Sequence, residues 1–366
     1  MSSIILNNIS KSYGGIPAVK HFDLQIEDKQ FLTLLGPSGC GKTTTLRILA
    51  GLEEPDQGEV IIRDTVLFSR SKGIFVPPEK RKLGLIFQSY ALWPHMTVRK
   101  NISLGLEEMK YSREKINQRV LDVLEKVQLT EYSERYPSEL SGGQQQRVAV
   151  ARMIAAEPSV FLMDEPLSNL DAMLRIDMRS ELKHLHHELA ATTVYVTHDQ
   201  MEALTLSDKI AVMEQGLLRQ LGTPEEIYRK PADLFVAKFV GSPRINVIYG
   251  EIVSDGDKNC FACGQLKVEI AQKIKAQKKQ IIATIRPEDI DISRKERRGW
   301  LKTRTYSVLP AGSETIITVQ NKSLFFSIKL HGFTDIRMKD DIWIHFDPVN
   351  INFFDQQTEK LISAER

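Results

Sequence analysis

Hydrophobic positions fall into two regimes along the chain. Up to about Leu234, short β-branched runs alternate with stretches whose apolar residues recur every three to four positions, as in an α/β domain. "FLTLL" (Phe31–Leu35), "VFLMDEP", "VYVTHD" and "KIAVME" read as strands of one buried sheet, and "TTTLRILAGL" after the first of them reads as a helix. Between about Ser89 and Glu157 the strands thin out. There "SREKINQRVLDVLEKVQL" has helical period, with Ile116, Val120, Val123, Leu124 and Val127 on one face, so the spacing predicts a helical insert at about 89–157. After "KPADLFVAKFVGSP" the pattern becomes short strand-like runs ("INVIYGEIVS", "QIIATIRPEDIDIS", "TIITVQ", "LFFSIKL", "DIWIHFD") punctuated by turns such as "SDGDKN" and "PAGS". This predicts a first domain over 1–240 and an all-β, barrel-like second domain over 241–366.

Composition narrows the class. The 366 residues suit two or three domains, and 42 % hydrophobic with 26 % charged residues suits a chain with a proper core. A net charge of +2 gives no basic excess of the kind a nucleic-acid partner calls for. "MSSIILNNISKSYGG" lacks the basic segment and apolar stretch of a signal peptide, and no apolar run approaches the roughly 20 residues of a membrane span. The expectation is a chain that is soluble or peripheral to a membrane through partners. Three cysteines, Cys40, Cys260 and Cys263, fit the cytoplasm. Cys260 and Cys263 form a lone C-x-x-C with no second pair to complete a metal site, so they read as ordinary cysteines beside a turn. "HLHH" (His184, His186, His187) lies in a helical run with Met178, Leu182, Leu185 and Leu189 on one face, and reads as a solvated helix flank.

Chemistry enters with "LGPSGCGKTTTL". Gly36, Pro37, Ser38, Gly39, Cys40, Gly41, Lys42, Thr43 and Thr44 fit G-x-x-x-x-G-K-[ST] between a strand and a helix, a phosphate cradle of inward amides at a helix N-terminus. Downstream, the strand Val160–Met163 ends in Asp164, where a carboxylate can hold Mg²⁺ near phosphates, and Glu165 follows, able to reach a water at a γ-phosphate. Between them, "ELSGGQQQRVAVAR" sets Ser141, Gly142 and Gly143 before a helical run, a second potential anion cradle. One nucleotide seldom needs two cradles, and the economical reading gives the second to a nucleotide held by another copy.

With these residues the sequence closely resembles the ATP-binding subunits of ABC transporters, densely over about 1–240. Leu140–Gln144 resembles their signature motif. Tyr13 in "SKSYGG" matches the aromatic that stacks on adenine, and Gln88 in "LIFQSYALWPHMTV" the Q-loop glutamine. Asp171 in "SNLD" matches the D-loop, and His198 in "VTHD" the switch histidine. The resemblance implies an α/β P-loop ATPase domain with a helical insert and a C-terminal all-β regulatory domain similar to that of importers of the maltose type. It implies ATP and Mg²⁺, with Lys42, Gln88, Glu165 and His198 in catalysis and Thr43, Gln88 and Asp164 on the metal. Tyr13, the loop 36–44, Ser141, Gly142, Gly143, Gln144 and Asp171 bind nucleotide. It also implies a homodimer on two permease subunits at the cytoplasmic face of the membrane, served indirectly by a solute-binding protein, with no nucleic-acid partner.

The resemblance points to carbohydrate import, although Arg244, Ile245 and Asn246 stand after "GSP" where that family has a methionine–asparagine pair. "GIFVPPEKRKLGLIFQ" is similar to ferric-ion and polyamine relatives. A soluble ABC ATPase of DNA repair or translation is the reading from another class; such chains lack this β-domain. "QSYALWPHMTVRKNI", with Tyr90, Trp93 and Pro94, is the candidate dock for a permease helix. Finally, a thiol in the phosphate loop at a helix N-terminus predicts a depressed pKa and a reactive Cys40.

Overall fold

Residues Ser2–Tyr13 (β1) and Ile16–Glu27 (β2) form an antiparallel hairpin whose Ile4, Leu6, Ile9, Val19, Phe22, Leu24 and Ile26 are buried. β3 (Phe31–Leu35) has no wet face at all. It leads through a loop into helix α1 (Lys42–Ala50); β4 (Gln57–Ile62), β5 (Thr65–Ser69) and β6 (Ile74–Phe75) then complete the first sheet in the order β2-β1-β4-β5-β6. This antiparallel sheet is unassigned in the sequence pattern. β3 belongs to a second sheet with β7 (Gly84–Ile86), β8 (Val160–Asp164), β9 (Thr192–Thr197) and β10 (Lys209–Glu214), parallel in the order β10-β3-β9-β8-β7, with β11 (Leu217–Gly222) antiparallel at its edge. The computed structural model describes residues 2–87, 89–168, 170–255, 258–270 and 280–362.

Successive residues on the parallel strands point to opposite faces, and this divides the core in two. Leu32, Leu34, Val160, Leu162, Val194 and Val196 pack with Leu46, Ile48 and Leu49 of α1 and with the antiparallel sheet. Phe31, Phe161, Met163 and Tyr195 pack instead against helices. These are α2 (Val98–Glu108), α3 (Arg113–Lys126), α4 (Gly142–Ala155), α5 (Ala172–Leu189) and α6 (Gln200–Leu206). The helical insert is α2–α4, and α3 buries Val120, Val123 and Leu124 as its period predicts. Thr97, Ser112, Ser141, Asp171 and Asp199 cap the five helices through their side chains. On α5, His184 and His187 are exposed, but His186 is buried against Phe31, with Nδ1 3.0 Å from Thr193 Oγ1. The histidine run is therefore only partly a solvated flank.

The chain divides into two compact units, 1–224 and 225–366. In the second, α7 (Pro224–Arg229) and α8 (Leu234–Phe239) precede β12 (Asn246–Asp255), β13 (Lys258–Cys263), β14 (Leu266–Glu269), β15 (Gln280–Ile285) and β16 (Ile290–Ser293). β17 (Leu301–Pro310), β18 (Glu314–Asn321), β19 (Leu324–His331), β20 (Asp341–Phe346) and β21 (Asn352–Asp355) follow. Two antiparallel sheets, β14-β13-β12-β15-β21 and β16-β20-β17-β18-β19, share one core: Phe261, Ile281 and Ile285 from the first meet Ile317, Phe326 and Ile344 from the second. Leu234 and Ala237 of α8 pack on Ile282 and Phe354, which places residues 225–240 with the β unit. Cys260 and Cys263 are free thiols on β13, and a spacing of three on a strand turns them to opposite faces.

Two buried arginines finish helices. Arg81, 6 % exposed, donates from Nη1 to the carbonyls of Ile48 and Leu49, 2.8 Å each, and from Nε to Val76 O at 2.8 Å. It thereby satisfies the C-terminal carbonyls of α1, where a cation also suits the helix dipole. Burial lowers its pKa to about 10, still charged at neutral pH. Gly51 (φ 79°) makes room, since a Cβ there would stand 2.5 Å from Nε. Arg286 repeats the arrangement beside Gly241, donating to Tyr228 O at 2.8 Å and to the carbonyls of Ala237 and Val240 at the end of α8.

Gly51→Ala is expected to destabilise the chain by about 1–3 kcal/mol through its left-handed backbone, and the displaced guanidinium adds to this. Arg81→Met, which takes the guanidinium from three carbonyls and leaves Ile48 O with only the Gly51 N–H at 3.1 Å, should cost about 3 kcal/mol. Gly105→Ala on α2, where a Cβ meets nothing within 4 Å, should leave the thermal midpoint unchanged or raised. Thermal denaturation of the three variants checks the order.

Candidate active site

The loop from β3 to α1 is closely packed by neighbouring backbone. A Cβ on Gly36 would overlap the carbonyl of Met213 in β10, and one on Gly41 (φ 103°) that of Ala18 in β2. α1 has no side-chain cap and no acid in its first turn, so its leading amides are left for an outside acceptor. Lys42, almost fully buried, folds back over this loop; Nζ donates to Gly36 O at 2.8 Å and Pro37 O at 3.0 Å and lies 3.8 Å from Cys40 Sγ. Cationic side chain, uncapped helix and a curl with glycine at its two tightest points together fit a chain of phosphates.

β8 brings the acids. Thr43 Oγ1 donates to Asp164 Oδ1 at 3.1 Å, joining the start of α1 to the C-terminal end of β8. Burial pushes the Asp164 carboxyl up, the neighbouring Glu165 charge adds to this, and the Thr43 hydroxyl opposes it. A hydroxyl and a carboxylate side by side are hard oxygen donors that fit Mg²⁺. Glu165 takes a left-handed backbone (φ 44°), and its N–H donates to Val196 O at 2.9 Å. Its Oε2 lies 3.0 Å from Nδ1 of His198, just past the end of β9. Parallel pairing of β8 and β9 thus delivers both groups to one edge of the sheet.

Behind His198 stands a network that the motif reading misses. Glu202, 3 % exposed, accepts from the Tyr195 hydroxyl at 2.8 Å and from Thr197 Oγ1 at 2.6 Å. Thr197 Oγ1 in turn accepts from the Asp199 N–H at 2.9 Å. Tyr195 and Thr197, two apart on β9, present hydroxyls to one side, and Glu202 is four residues after His198 on α6; that pattern was the available signal. Burial pushes the Glu202 carboxyl up, against the two hydroxyls it accepts.

The second cradle has a different environment. Ser141 Oγ accepts from the Gln144 N–H at 3.3 Å and Gln144 Oε1 from the Ser141 N–H at 2.9 Å, a capping box opening α4. A Cβ on Gly143 would press on Leu174, and one on Gly142 would touch Leu170, so the start of α4 lies against the start of α5. Asp171 caps α5 there, accepting from the Leu174 N–H at 3.0 Å. Ser141–Gln144 and Asp171 are therefore brought together. Tyr13, at the end of β1, is 46 % exposed, and burial of part of the ring pushes its hydroxyl pKa up.

Gln88 lies outside the described residues. The segment after it is firmly held: Arg152 donates to Tyr90 O at 2.9 Å and Ala91 O at 2.7 Å. The Asn101 side chain accepts from the Trp93 N–H and donates to the carbonyls of Trp93, Met96 and Thr97. Trp93 is 47 % exposed, but Tyr90 is buried in the core, so of the two aromatics expected on a docking surface only Trp93 is available. Cys40 also departs from expectation. It is 2 % exposed, and burial pushes its thiol up despite the adjacent Lys42 charge.

Comparison with known proteins gives the family. The ABC transporter family model matches residues 19–168. The trehalose/maltose import ATP-binding protein MalK of Thermococcus litoralis is 44 % identical over 99 % of this chain and 100 % of its own length. The xylose/arabinose import ATP-binding protein XacJ of Haloferax volcanii is 46 % identical over 80 % of this chain and 75 % of its own. Among solved structures, the dimeric post-hydrolysis state of the ATP-binding cassette MJ0796 with ADP and Pi is similar with a TM-score of 0.53 at 33 % identity, covering 60 % of this chain and 98 % of that one. CbiO1 of Clostridium perfringens, part of the ABC transporter complex cbiONQ, gives 0.56 at 27 % identity over 62 % and 90 %. The chain belongs to the ATP-binding subunits of ABC transporters. It is an ATP hydrolase coupled to transport, and among the described residues no helix is long and apolar enough to cross a membrane.

Two outcomes follow. A carboxyl raised on folding binds its proton more tightly in the native state, so Glu202 lowers stability as pH rises from the ordinary glutamate value, about 4.3, through its native one. Glu202→Gln removes that slope; its thermal midpoint relative to wild type should climb as pH rises above about 4.3, as measured by thermal denaturation across the acid and neutral range. In an alkylation pulse read by peptide mass spectrometry, half-buried Cys263 should label before Cys40.

Proposed function

We propose that the chain powers an importer, with carbohydrate as cargo, as one of two identical subunits seated on two permease subunits at the cytoplasmic face of the membrane. The observation that carries the catalytic part is the 3.0 Å approach of Glu165 Oε2 to His198 Nδ1 on the sheet edge that also presents the Thr43–Asp164 pair. The loop 36–44 and the first turn of α1 bind the phosphates, and Lys42 turns its ammonium from Gly36 O and Pro37 O to them. Thr43, Asp164 and Gln88 would hold Mg²⁺, which when bound neutralises phosphate charge. Glu165 orients the attacking water and takes its proton. With Nδ1 against Glu165, Nε2 of His198 is the nitrogen left for the γ-phosphate, where it stabilises charge as the bond breaks. Tyr13 stacks on the adenine.

Ser141–Gln144 and Asp171 cap the nucleotide of a second copy. The packing of Gly142 and Gly143 beside Leu170 and Leu174, which flank Asp171 at the start of α5, supports this, as does the dimeric state of the related cassette MJ0796. ATP then favours a closed symmetric dimer and hydrolysis opens it, driving permeases docked near Trp93. Carbohydrate as cargo follows MalK and XacJ, whose names record sugar import. A solute-binding protein outside the membrane delivers the cargo.

Glu165→Gln should lower kcat about a hundredfold or more while ATP accumulates a dimer on size exclusion; hydrolysis at the wild-type rate removes Glu165 from the mechanism. Lys42→Ala and Ser141→Arg chains, each inactive alone, should regain ATPase activity on mixing, because one composite site stays intact. Cells lacking the chain should lose uptake of labelled maltose, trehalose or pentose and regain it on complementation. Restored uptake of ferric ion or spermidine alone would move the cargo to those classes.

A further inference from the structure

Lys11 lies two residues before Tyr13 on β1, and its side chain is mostly buried. Its Nζ pairs with the Glu53 carboxylate at 2.6 Å, donates to Glu54 O at 2.8 Å, and stands 5.2 Å from the centroid of the Tyr13 ring. Glu53 and Glu54 belong to the turn that leaves α1. From the same turn, Asp56 accepts from the Ser12 N–H at 2.7 Å and gives its own N–H to Ser10 O at 2.8 Å. The ring is therefore tied to the turn that leaves the helix whose first turn belongs to the phosphate loop, through a cation that itself touches no part of that loop.

We infer that Lys11 is a positioning residue for base recognition: it sets the place of the Tyr13 ring relative to the phosphate loop and polarises the ring toward an electron-rich purine. This rests on the reading of Tyr13 as the adenine platform. A cation on one side of an aromatic ring draws its electron density, and a purine on the other side stacks more strongly on a depleted ring. Lys11 and its carboxylate partner also hold the joint between β1 and α1 at one spacing, which fixes the reach from base to phosphates.

The experiment compares ATP with inorganic tripolyphosphate, which offers phosphates and no base. Lys11→Met should weaken ATP binding about tenfold, with tripolyphosphate affinity and kcat at saturating ATP changed by less than about twofold. Lys11→Arg should retain wild-type selectivity, and Lys11→Gln serves if the methionine variant does not fold. Tyr13→Ala should weaken ATP similarly, and adding Lys11→Met to it should give no further loss, since the two act through one ring. Equal losses for ATP and tripolyphosphate, or additive losses in the double variant, would reduce Lys11 to a fold-stabilising ion pair. If Tyr13→Ala leaves the ATP-to-tripolyphosphate ratio unchanged, the platform reading falls and takes the inference with it. If that ratio changes in Tyr13→Ala but not in Lys11→Met, Lys11 alone loses its role.

Discussion

The carbonyls of Ala18 and Met213 come so near the phosphate loop that Gly36 and Gly41 have no space for a side chain. One carbonyl belongs to the antiparallel sheet and the other to the parallel sheet, so the loop is clamped between the two layers that define the first unit. α1 inherits its position from that clamp and fills the space between the sheets with Leu46, Ile48 and Leu49. The same placement lets Thr43 meet Asp164 and leaves the first amides of α1 without a side-chain cap. Geometry at the reacting end and packing at the core are thus one constraint. Loosening the loop would loosen the helix that joins the layers.

The groups on the sheet edge come from three parallel neighbours, β3, β8 and β9. Parallel pairing aligns their C-terminal ends without any contact between the catalytic side chains being needed to assemble them. What those side chains need is orientation. Glu165 obtains it from a left-handed backbone bonded to Val196, and His198 from Nδ1 held 3.0 Å from Glu165 Oε2, while the hydroxyl–carboxyl network of Tyr195, Thr197 and Glu202 ties the end of β9 to α6. Exposed His198 and half-buried Glu165 therefore sit above strand ends that are almost wholly buried.

Much of this was legible in the residue order. Phe31–Leu35, Val160–Met163 and the α3 period announced themselves because a strand buried on both faces and an amphipathic helix leave strong patterns. The loop 36–44 was legible because phosphate binding by backbone demands glycine at set positions. The hairpin of β1 and β2 was not, since its alternation is interrupted by register shifts and by a left-handed residue at His21. Tyr90 and Cys40 misled for another reason. Residue type says what a side chain prefers, whereas its burial is decided by neighbours remote in sequence, Arg152 and the α2–α4 core for Tyr90 and the core between the two sheets, with Gly216 on its carbonyl, for Cys40. Arg81 carries no motif, because its guanidinium answers to backbone carbonyls that any residue type supplies, and the signal for Glu202 is only two hydroxyl residues two apart on one strand.

Arg286 reaches back across the sequence to the carbonyls of Tyr228, Ala237 and Val240, so the helices α7 and α8 and the sheets after them form one folding piece. A chimera that exchanges the β unit with that of a relative must accordingly be spliced near residue 224. A junction at 240, where the strand pattern begins, would ask a foreign guanidinium to cap a helix end shaped for another chain. The seam visible in the hydrophobic pattern and the seam along which the molecule can be cut are different places.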